Sequence, residues 1–460
     1  MNIIFALLSF AALLTVNPIL TFVSIVSLWF LCSFRAASYS SIFFKTLFVY
    51  QWLSINVPLL QATVEGVSLS YHLGINSGEL AYIYSIIGLV CLSMGIQYGF
   101  HPHKEFIANS SHLFISKLRR SSQKTITLLV FISFALSYSV EQLALLVSPL
   151  KAFSFGVSLI VKFAGLILAA WALYEKVISL RRFLALFSIV LLPGFLGFFS
   201  GFKELIAVPI ILGLFYWKND IGYRFRISIF LLSLLFLLSY SLISWQAIKT
   251  DYRNFLNFGE SSQFAQRSLL DRFNFLVDQM SSFDFAEQAT TSLDTGLKRV
   301  GYLSYYAQVL AIVPYEKPHR GGSLTYAYFS NFLTPRLFFP DKRVIDDSEH
   351  TNKYALDRVS GLDSGTSISL GYMADSYIDY GIFSPIFIFF LGYIWSKIWI
   401  GYLKAFPALL SLPLACAFVF PQLGYFGTSL AKIIGFLMIA FLIRIVSMKI
   451  FNLFPLKSLS

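Results

Sequence analysis

The sequence predicts an all-α, polytopic integral membrane protein with about 11–12 transmembrane helices and one large external loop. Three observations carry that reading. Of 460 residues, 57% are hydrophobic and 13% charged, roughly half the charged share of an ordinary soluble domain. Apolar runs long enough to cross about 30 Å of hydrocarbon recur along the chain. A single long polar stretch, residues 248–380, interrupts them late. This composition excludes a soluble globular enzyme, and 49 Phe with 25 Tyr supply too much apolar surface for a disordered scaffold.

Residues 2–34 form an apolar block broken at Asn17-Pro18. Proline removes a backbone donor, so two short helices are expected, with one long helix as the alternative. The block lacks the basic start of a cleaved signal peptide and stays apolar far beyond its usual length. Spans of membrane-crossing length follow at 41–62, 80–100, 125–148 and 153–174. Residues 183–217 are apolar but interrupted at Ser200-Gly201-Phe202-Lys203-Glu204, with Pro193, Gly194 and Gly197 loosening the first part. Two short helices, 183–199 and 205–217, fit that pattern. A span at 227–247 ends an N-terminal membrane unit, 1–247. The external loop, 248–380, shows amphipathic helical patterning around 264–280 and 298–313, suited to the membrane surface. Spans at 381–403, 406–425 and 428–448 make a C-terminal membrane unit, 381–460. No internal repeat of the kind that marks many secondary transporters is visible. Cys32, Cys91 and Cys416 all sit in apolar runs without CxxC spacing, which supports neither a disulfide framework nor a zinc site.

The net charge of +12 divides unevenly. The loop 248–380 holds 13 Lys/Arg against 16 Asp/Glu, leaving 22 basic and 7 acidic residues for the membrane units. The basic residues gather after 80–100 (Lys104, Lys117, Arg119, Arg120, Lys124), after 153–174 (Lys176, Arg181, Arg182) and after 205–217 (Lys218, Arg224, Arg226). Cytoplasmic loops carry such an excess, so these face the cytoplasm and 248–380 lies outside. Lys404, Lys449 and Lys457 return to the cytoplasmic side. The excess is spread over helix ends and not gathered on a recognition fold, which argues against a nucleic-acid partner.

Within the loop the densest polar group is Lys317-Pro318-His319-Arg320-Gly321-Gly322, then Thr334-Pro335-Arg336-Leu337-Phe338-Phe339-Pro340-Asp341-Lys342-Arg343, then Glu349-His350. Arg336 sits among Phe332, Leu333, Leu337, Phe338 and Phe339, an apolar setting for a planar fork that binds phosphate oxygens in pairs. A basic loop snorkelling to lipid phosphates is the plainer reading. His319 and His350 are candidate general bases, against the commoner case of solvated loop histidines. Asp341, Asp375 and Asp379 offer carboxylate alternatives. Asp375 and Asp379 stand one helical turn apart at the head of 381–403, where acidic residues also complement a helix N-terminus. No HxxxH or HExxH spacing marks a metal site. Lys203-Glu204 between two apolar segments marks either a functional cavity or a solvated turn, and Glu141 and Lys162, inside consecutive spans, are candidates to pair.

The order of these features resembles the Wzy-type oligosaccharide repeat-unit polymerases of O-antigen, lipopolysaccharide and exopolysaccharide assembly. The resemblance rests on the small-residue turn Ser200-Gly201-Phe202-Lys203-Glu204, the segment Thr334-Pro335-Arg336-Leu337-Phe338-Phe339-Pro340-Asp341-Lys342, and Gly371-Tyr372-Met373-Ala374-Asp375-Ser376-Tyr377-Ile378-Asp379-Tyr380-Gly381 running into a helix. It spans about 180 residues. Lys203 stands where that family often has arginine. The resemblance implies a multi-pass glycosyltransferase of the bacterial inner (cytoplasmic) membrane, acting without cofactor or metal. It would transfer a growing glycan from one polyprenyl pyrophosphate to a sugar hydroxyl of the next lipid-linked repeat unit. Its partners would be polyprenyl-pyrophosphate-linked glycan, membrane lipid, and chain-length regulator and flippase proteins. It implies His319, Asp341 or Asp375 as the catalytic base, with Lys203, Arg320, Arg336, Lys342, Arg343 and His350 binding substrate. A lipid-linked glycan ligase, a transporter or flippase, and a partner-binding membrane protein are the alternatives.

Overall fold

Apolar backbone in a bilayer must satisfy its own hydrogen bonds, and a helix does so within one segment. Every regular element among the described residues is accordingly helical. The computed structural model describes residues 2–34, 38–146, 151–197, 201–219, 224–259, 267–281, 301–334, 338–339, 342, 345–356, 368–423 and 426–453.

The N-terminal block is two helices, α1 (Asn2–Ala12) and α2 (Pro18–Cys32), packed on each other. The break falls at Asn17, as the proline requires. Asn17 Nδ2 donates to the Val67 carbonyl (2.9 Å) and its Oδ1 accepts from the Leu69 amide (3.1 Å), stapling the break to the turn between α3 (Ser38–Glu65) and α4 (Leu69–Leu73). α5 (Gly78–Phe100) then runs to the far end of the bundle and leads into α6 (Lys104–Arg120). Where the sequence suggested only a basic connection, α6 is an amphipathic helix. It buries Ile107, Phe114, Ile115 and Leu118 against the bundle, with the Phe114 ring 5.0 Å from Trp171. α7 (Gln123–Leu146) and α8 (Lys151–Tyr174) form a long antiparallel pair, followed by α9 (Leu180–Leu196), α10 (Phe202–Asn219) and α11 (Arg224–Leu256). The loop contributes α12 (Leu269–Ser281), α13 (Leu303–Ile312), α14 (Ser323–Leu333), α15 (Asp347–Tyr354) and α16 (Tyr372–Tyr380). The bundle closes with α17 (Ser384–Ala405), α18 (Ala408–Leu423) and α19 (Leu430–Leu453).

Among the described residues six stretches are long and apolar enough to cross a membrane: Gly78–Arg120, Gln123–Gln142, Phe153–Tyr174, Phe225–Leu256, Tyr372–Ala405 and Leu430–Lys449. Two expected spans do not reach that measure. The helix at 41–62 is α3, which carries buried Gln51, Ser54 and Asn56. The one at 406–425 is α18, only 16 residues long and holding Pro413 and Pro421. α3 falls short through its polar residues and α18 through its length. Asn56 accepts from Tyr82 and Ser24, and Gln51 accepts from Tyr372, so polar residues join α2, α3, α5 and α16 across the interior.

The closest packing joins α5 and α17. A Cβ on Gly95 would overlap the Phe389 carbonyl, and one on Gly392 the Leu92 carbonyl, so the two backbones touch where both residues lack side chains. This contact anchors the loop helices, because α13 packs on α5 and α16 runs directly towards α17. The boundary expected at 247/248 lies inside α11, and α13–α16 are built into one end of the bundle. α13 corrects another expectation. The segment 298–313 was expected at the membrane surface, yet Leu303, Tyr306, Ala307, Val309, Leu310 and Ile312 are all buried.

Candidate functional site

The site grows from α16, which is buried from Tyr372 to Asp379. It begins at Gly371, where φ is +88° and a Cβ would meet the Phe426 carbonyl oxygen at 2.8 Å. Only glycine combines that backbone conformation with that approach. The close contact sets the start of α16 against the start of α19, and the two acidic residues of α16 then face two other helices.

Asp379 anchors α14. Its Oδ1 accepts from the amides of Gly322 (3.1 Å) and Leu324 (3.0 Å), and its Oδ2 from the amide (2.7 Å) and hydroxyl (2.5 Å) of Thr325. The N-cap position of α14 is Gly322, which has no side chain to cap with. A carboxylate from another helix therefore supplies the acceptor that the helix start needs. The backbone reinforces the junction, with the Arg320 amide donating to the Ile378 carbonyl and the Gly321 amide to that of Asp379. Sequence reasoning placed Asp375 and Asp379 as complements to their own following helix. Each instead serves the start of a helix distant in sequence.

Asp375 is fully buried and has a second duty. Its Oδ2 accepts from the Leu430 amide (2.8 Å) at the start of α19, and its Oδ1 accepts from His350 Nε2 (3.0 Å). The His350 side chain is 17% exposed and that of Asp375 0%. The imidazole thus connects a buried carboxylate to the surface. A carboxylate only accepts, so neutral His350 carries its proton on Nε2 and its lone pair on Nδ1.

Cations gather around the neighbouring Tyr354. The His350 and Tyr354 rings lie 5.2 Å apart, one helical turn apart on α15. Tyr354 in turn collects positive charge: Lys317 Nζ stands 5.4 Å and Lys353 Nζ 5.7 Å from its ring centroid. The Arg320 guanidinium stands near its hydroxyl. Lys317 also donates to the Lys353 carbonyl, and Arg320 Nε to Ser323 Oγ at 3.1 Å. Lys432, in the first turn of α19, pairs with Asp347 at 2.6 Å. Burial pushes the Tyr354 phenol up, while the Arg320 guanidinium pulls it down. Tyr328 of α14 is pushed well above the ordinary phenol range by burial, and then by the carboxylates of Asp375, Asp347 and Asp379. It stays neutral at physiological pH.

The residues singled out from sequence fare differently. His350, Asp375 and Arg320 come together. His319 lies on the other side of α16, where its Nδ1 donates to the Tyr377 carbonyl (3.1 Å) and its ring packs edge-on against Tyr377. Lys342 was expected to bind phosphate, but its ammonium donates to the carbonyls of Thr334 (2.8 Å) and Asn331 at the end of α14. Four orphan carbonyls end any helix, and an ammonium there satisfies two of them. Lys203 lies in the first turn of α10. The neighbouring Phe202 stacks on Phe195 of α9 and packs beside Trp245 of α11, away from α14–α16. Arg336, Asp341 and Arg343 lie outside the described residues. Tyr354 and Tyr328 were missed. Tyr354 was signalled only by its place four residues after His350. Among the described residues no group of three or more His, Cys, Asp or Glu converges to hold a metal ion.

Fold and site together define a polytopic, all-α membrane protein with a His–Asp pair at one end of the bundle, beside a tyrosine that gathers lysine and arginine. The chain belongs to the family described as a domain of unknown function (DUF8712), which matches residues 83–454 and so takes in every element of the site. No curated protein and no solved structure matches the chain.

Proposed function

We propose that the protein polymerises polyprenyl-pyrophosphate-linked oligosaccharide repeat units into a surface polysaccharide, by glycosyl transfer at the external face of a bacterial inner membrane. The observation that carries this reading is the His350–Asp375 pair, with Lys317, Arg320 and Lys353 gathered around the neighbouring Tyr354. Glycosyl transfer from a lipid pyrophosphate needs two things at one place: a base for the acceptor hydroxyl and positive charge for the leaving diphosphate. The site offers both.

In this scheme His350 Nδ1 takes the proton of the acceptor hydroxyl, a contribution of about 10²–10⁴-fold to the rate. The hydroxyl oxygen bonds to the anomeric carbon of the donor glycan as the bond from that carbon to the diphosphate oxygen breaks. The electron pair stays on the polyprenyl diphosphate, where Arg320 and the neighbouring lysines stabilise the developing charge. Asp375 holds the imidazole in the required tautomer and stabilises the imidazolium that forms. Its own oxygens are both occupied, so it acts as a positioning residue and not as the base. Lipid-linked glycan is thus the substrate, and flippase and chain-length regulator proteins would supply it and limit its growth.

The test is a glycan-length profile of the surface polysaccharide in cells lacking the protein, complemented with wild type, His350→Gln or Arg320→Ala. Single repeat units in the null strain, a restored ladder with wild type, and no ladder with His350→Gln at normal membrane abundance are expected. An intact ladder without the protein would overturn the reading and favour transport or partner binding.

A further inference from the structure

α12 has three faces, and only two of them are accounted for. At 3.6 residues per turn, Arg272, Phe275, Leu276 and Gln279 share one arc, and these are the residues least exposed. They make the contacts to the bundle. The Phe275 ring stacks on Phe255 at 4.3 Å and lies 5.8 Å from Tyr252, and Arg272 Nη1 reaches the Leu196 carbonyl at the end of α9. The second arc is polar and exposed: Asp271, Asn274, Asp278 and Ser281. Between them lies a third, an arc of about 100° that bears Leu269, Leu270, Phe273, Val277 and Met280. All five are exposed, from 36% at Met280 to 68% at Leu270.

We infer that this third face is seated among the acyl chains of the outer leaflet, with α12 lying in the membrane interface. Position commits the occupant to lipid. Arg272 holds α12 beside Leu196, the last residue of α9, and Phe275 packs on Tyr252 and Phe255, in the last turns of the apolar stretch Phe225–Leu256 that is long enough to cross a membrane. The face therefore stands at the end of a membrane-crossing stretch. The direction of α12 agrees. Arg267, just before it, stacks on Phe255 and Phe258, whereas Phe275 reaches back to Tyr252, so the helix turns back over the end of α11 towards the hydrocarbon. The polar arc is rotated away on the side that this seating leaves in water. An amphipathic helix with one apolar and one charged face, held at the bilayer edge, has the features of an interfacial helix.

The inference is independent of the proposed chemistry and is tested without any activity. Cys32 and Cys91 are replaced by serine, with the buried free Cys416 retained. Single cysteines are then placed at Phe273, Val277, Asn274 or Asp278, labelled with an environment-sensitive fluorophore, and the full-length protein is reconstituted in phosphatidylethanolamine/phosphatidylglycerol nanodiscs. Quenching of positions 273 and 277 by nitroxide-labelled lipid, with little quenching by aqueous iodide, and the reverse at 274 and 278, is the expected result. Iodide quenching at 273 and 277 would overturn the inference. So would protection of those two positions from both quenchers, which would instead mean that protein covers the face. Should the double serine variant not stay monodisperse, the same contrast is read in a background with Cys32 and Cys91 replaced by alanine.

Discussion

In the proposed scheme His350 acts as a base only because of what stands on each side of it. Replacement by Gln keeps the volume and a donor towards Asp375 but removes the basic nitrogen, so polymerisation should fall by about 10²-fold or more while membrane abundance holds. Asp375→Asn is the sharper variant. Its amide oxygen still accepts from the Leu430 amide, but its NH₂ faces Nε2 and forces the proton to Nδ1. Polymer length should collapse with no comparable loss of thermal stability. A full-length ladder from Asp375→Asn would remove the tautomer argument.

Tyr328 makes a separate prediction. Its phenol is raised in the folded state, first by burial and then by the carboxylates around it. A group whose folded value lies above the unfolded one contributes stability that is complete below the unfolded value, about pH 10 for tyrosine. That contribution is lost as pH rises through the folded value. The wild-type protein in detergent should therefore unfold progressively above about pH 10, with tyrosinate absorbance rising together with unfolding. Tyr328→Phe should flatten that dependence. An unchanged alkaline profile would show that Tyr328 ionises without cost.

At the scale of elements, α14 depends on a cap borrowed from α16. Asp379→Ala leaves the amides of Gly322, Leu324 and Thr325 without their acceptor, at a cost of about 2–4 kcal/mol. Asp379→Asn, which keeps one acceptor oxygen, should cost about half of that by the same reasoning. Thermal unfolding in detergent checks the order. The pair inside α7 and α8 behaves differently. Lys162 Nζ lies 3.0 Å from Glu141 Oε1, which also accepts from Ser158 Oγ at 2.6 Å. Breaking a fully buried pair costs about 3–5 kcal/mol. With these side chains 27% and 34% exposed, screening reduces the expected loss for Glu141→Gln to about 1–2 kcal/mol. Glu141→Gln combined with Lys162→Met should recover most of it, read as a double-mutant cycle.

Across the whole molecule the charge is sorted by end. α6, the turn after α8, the end of α17 and the end of α19 bring Lys104, Lys117, Arg119, Arg120, Lys176, Lys404 and Lys449 to the end opposite the candidate site. Within that end Arg119 pairs with Glu175 at 2.5 Å. Positive charge within reach of helix ends sets orientation, so an impermeant maleimide should label Glu316→Cys in intact cells and Lys124→Cys only after permeabilisation. The reverse pattern would place the site in the cytoplasm and end the polymerase reading.

Hydrophobic periodicity was enough to determine an all-α bundle, because a bilayer leaves an apolar segment few ways to satisfy its backbone. The helix break at Asn17-Pro18 and the clustering of basic ends were legible for the same local reasons, whereas Glu141 and Lys162 could be named only as candidates to pair. The site was legible only in part. His350, Asp375 and Arg320 could be named as candidates, but which carboxylate meets which imidazole depends on contacts between residues 25 to 55 positions apart. Those contacts are set by Gly371 against Phe426 and by α5 against α17. Only the tertiary structure could show that Lys342 closes a helix, that Asp379 opens one, and that α13 is buried. A charged side chain has the same sequence signature whether it holds a helix end or awaits a substrate. What separates the two is the orphan backbone group beside it, and that is placed by packing.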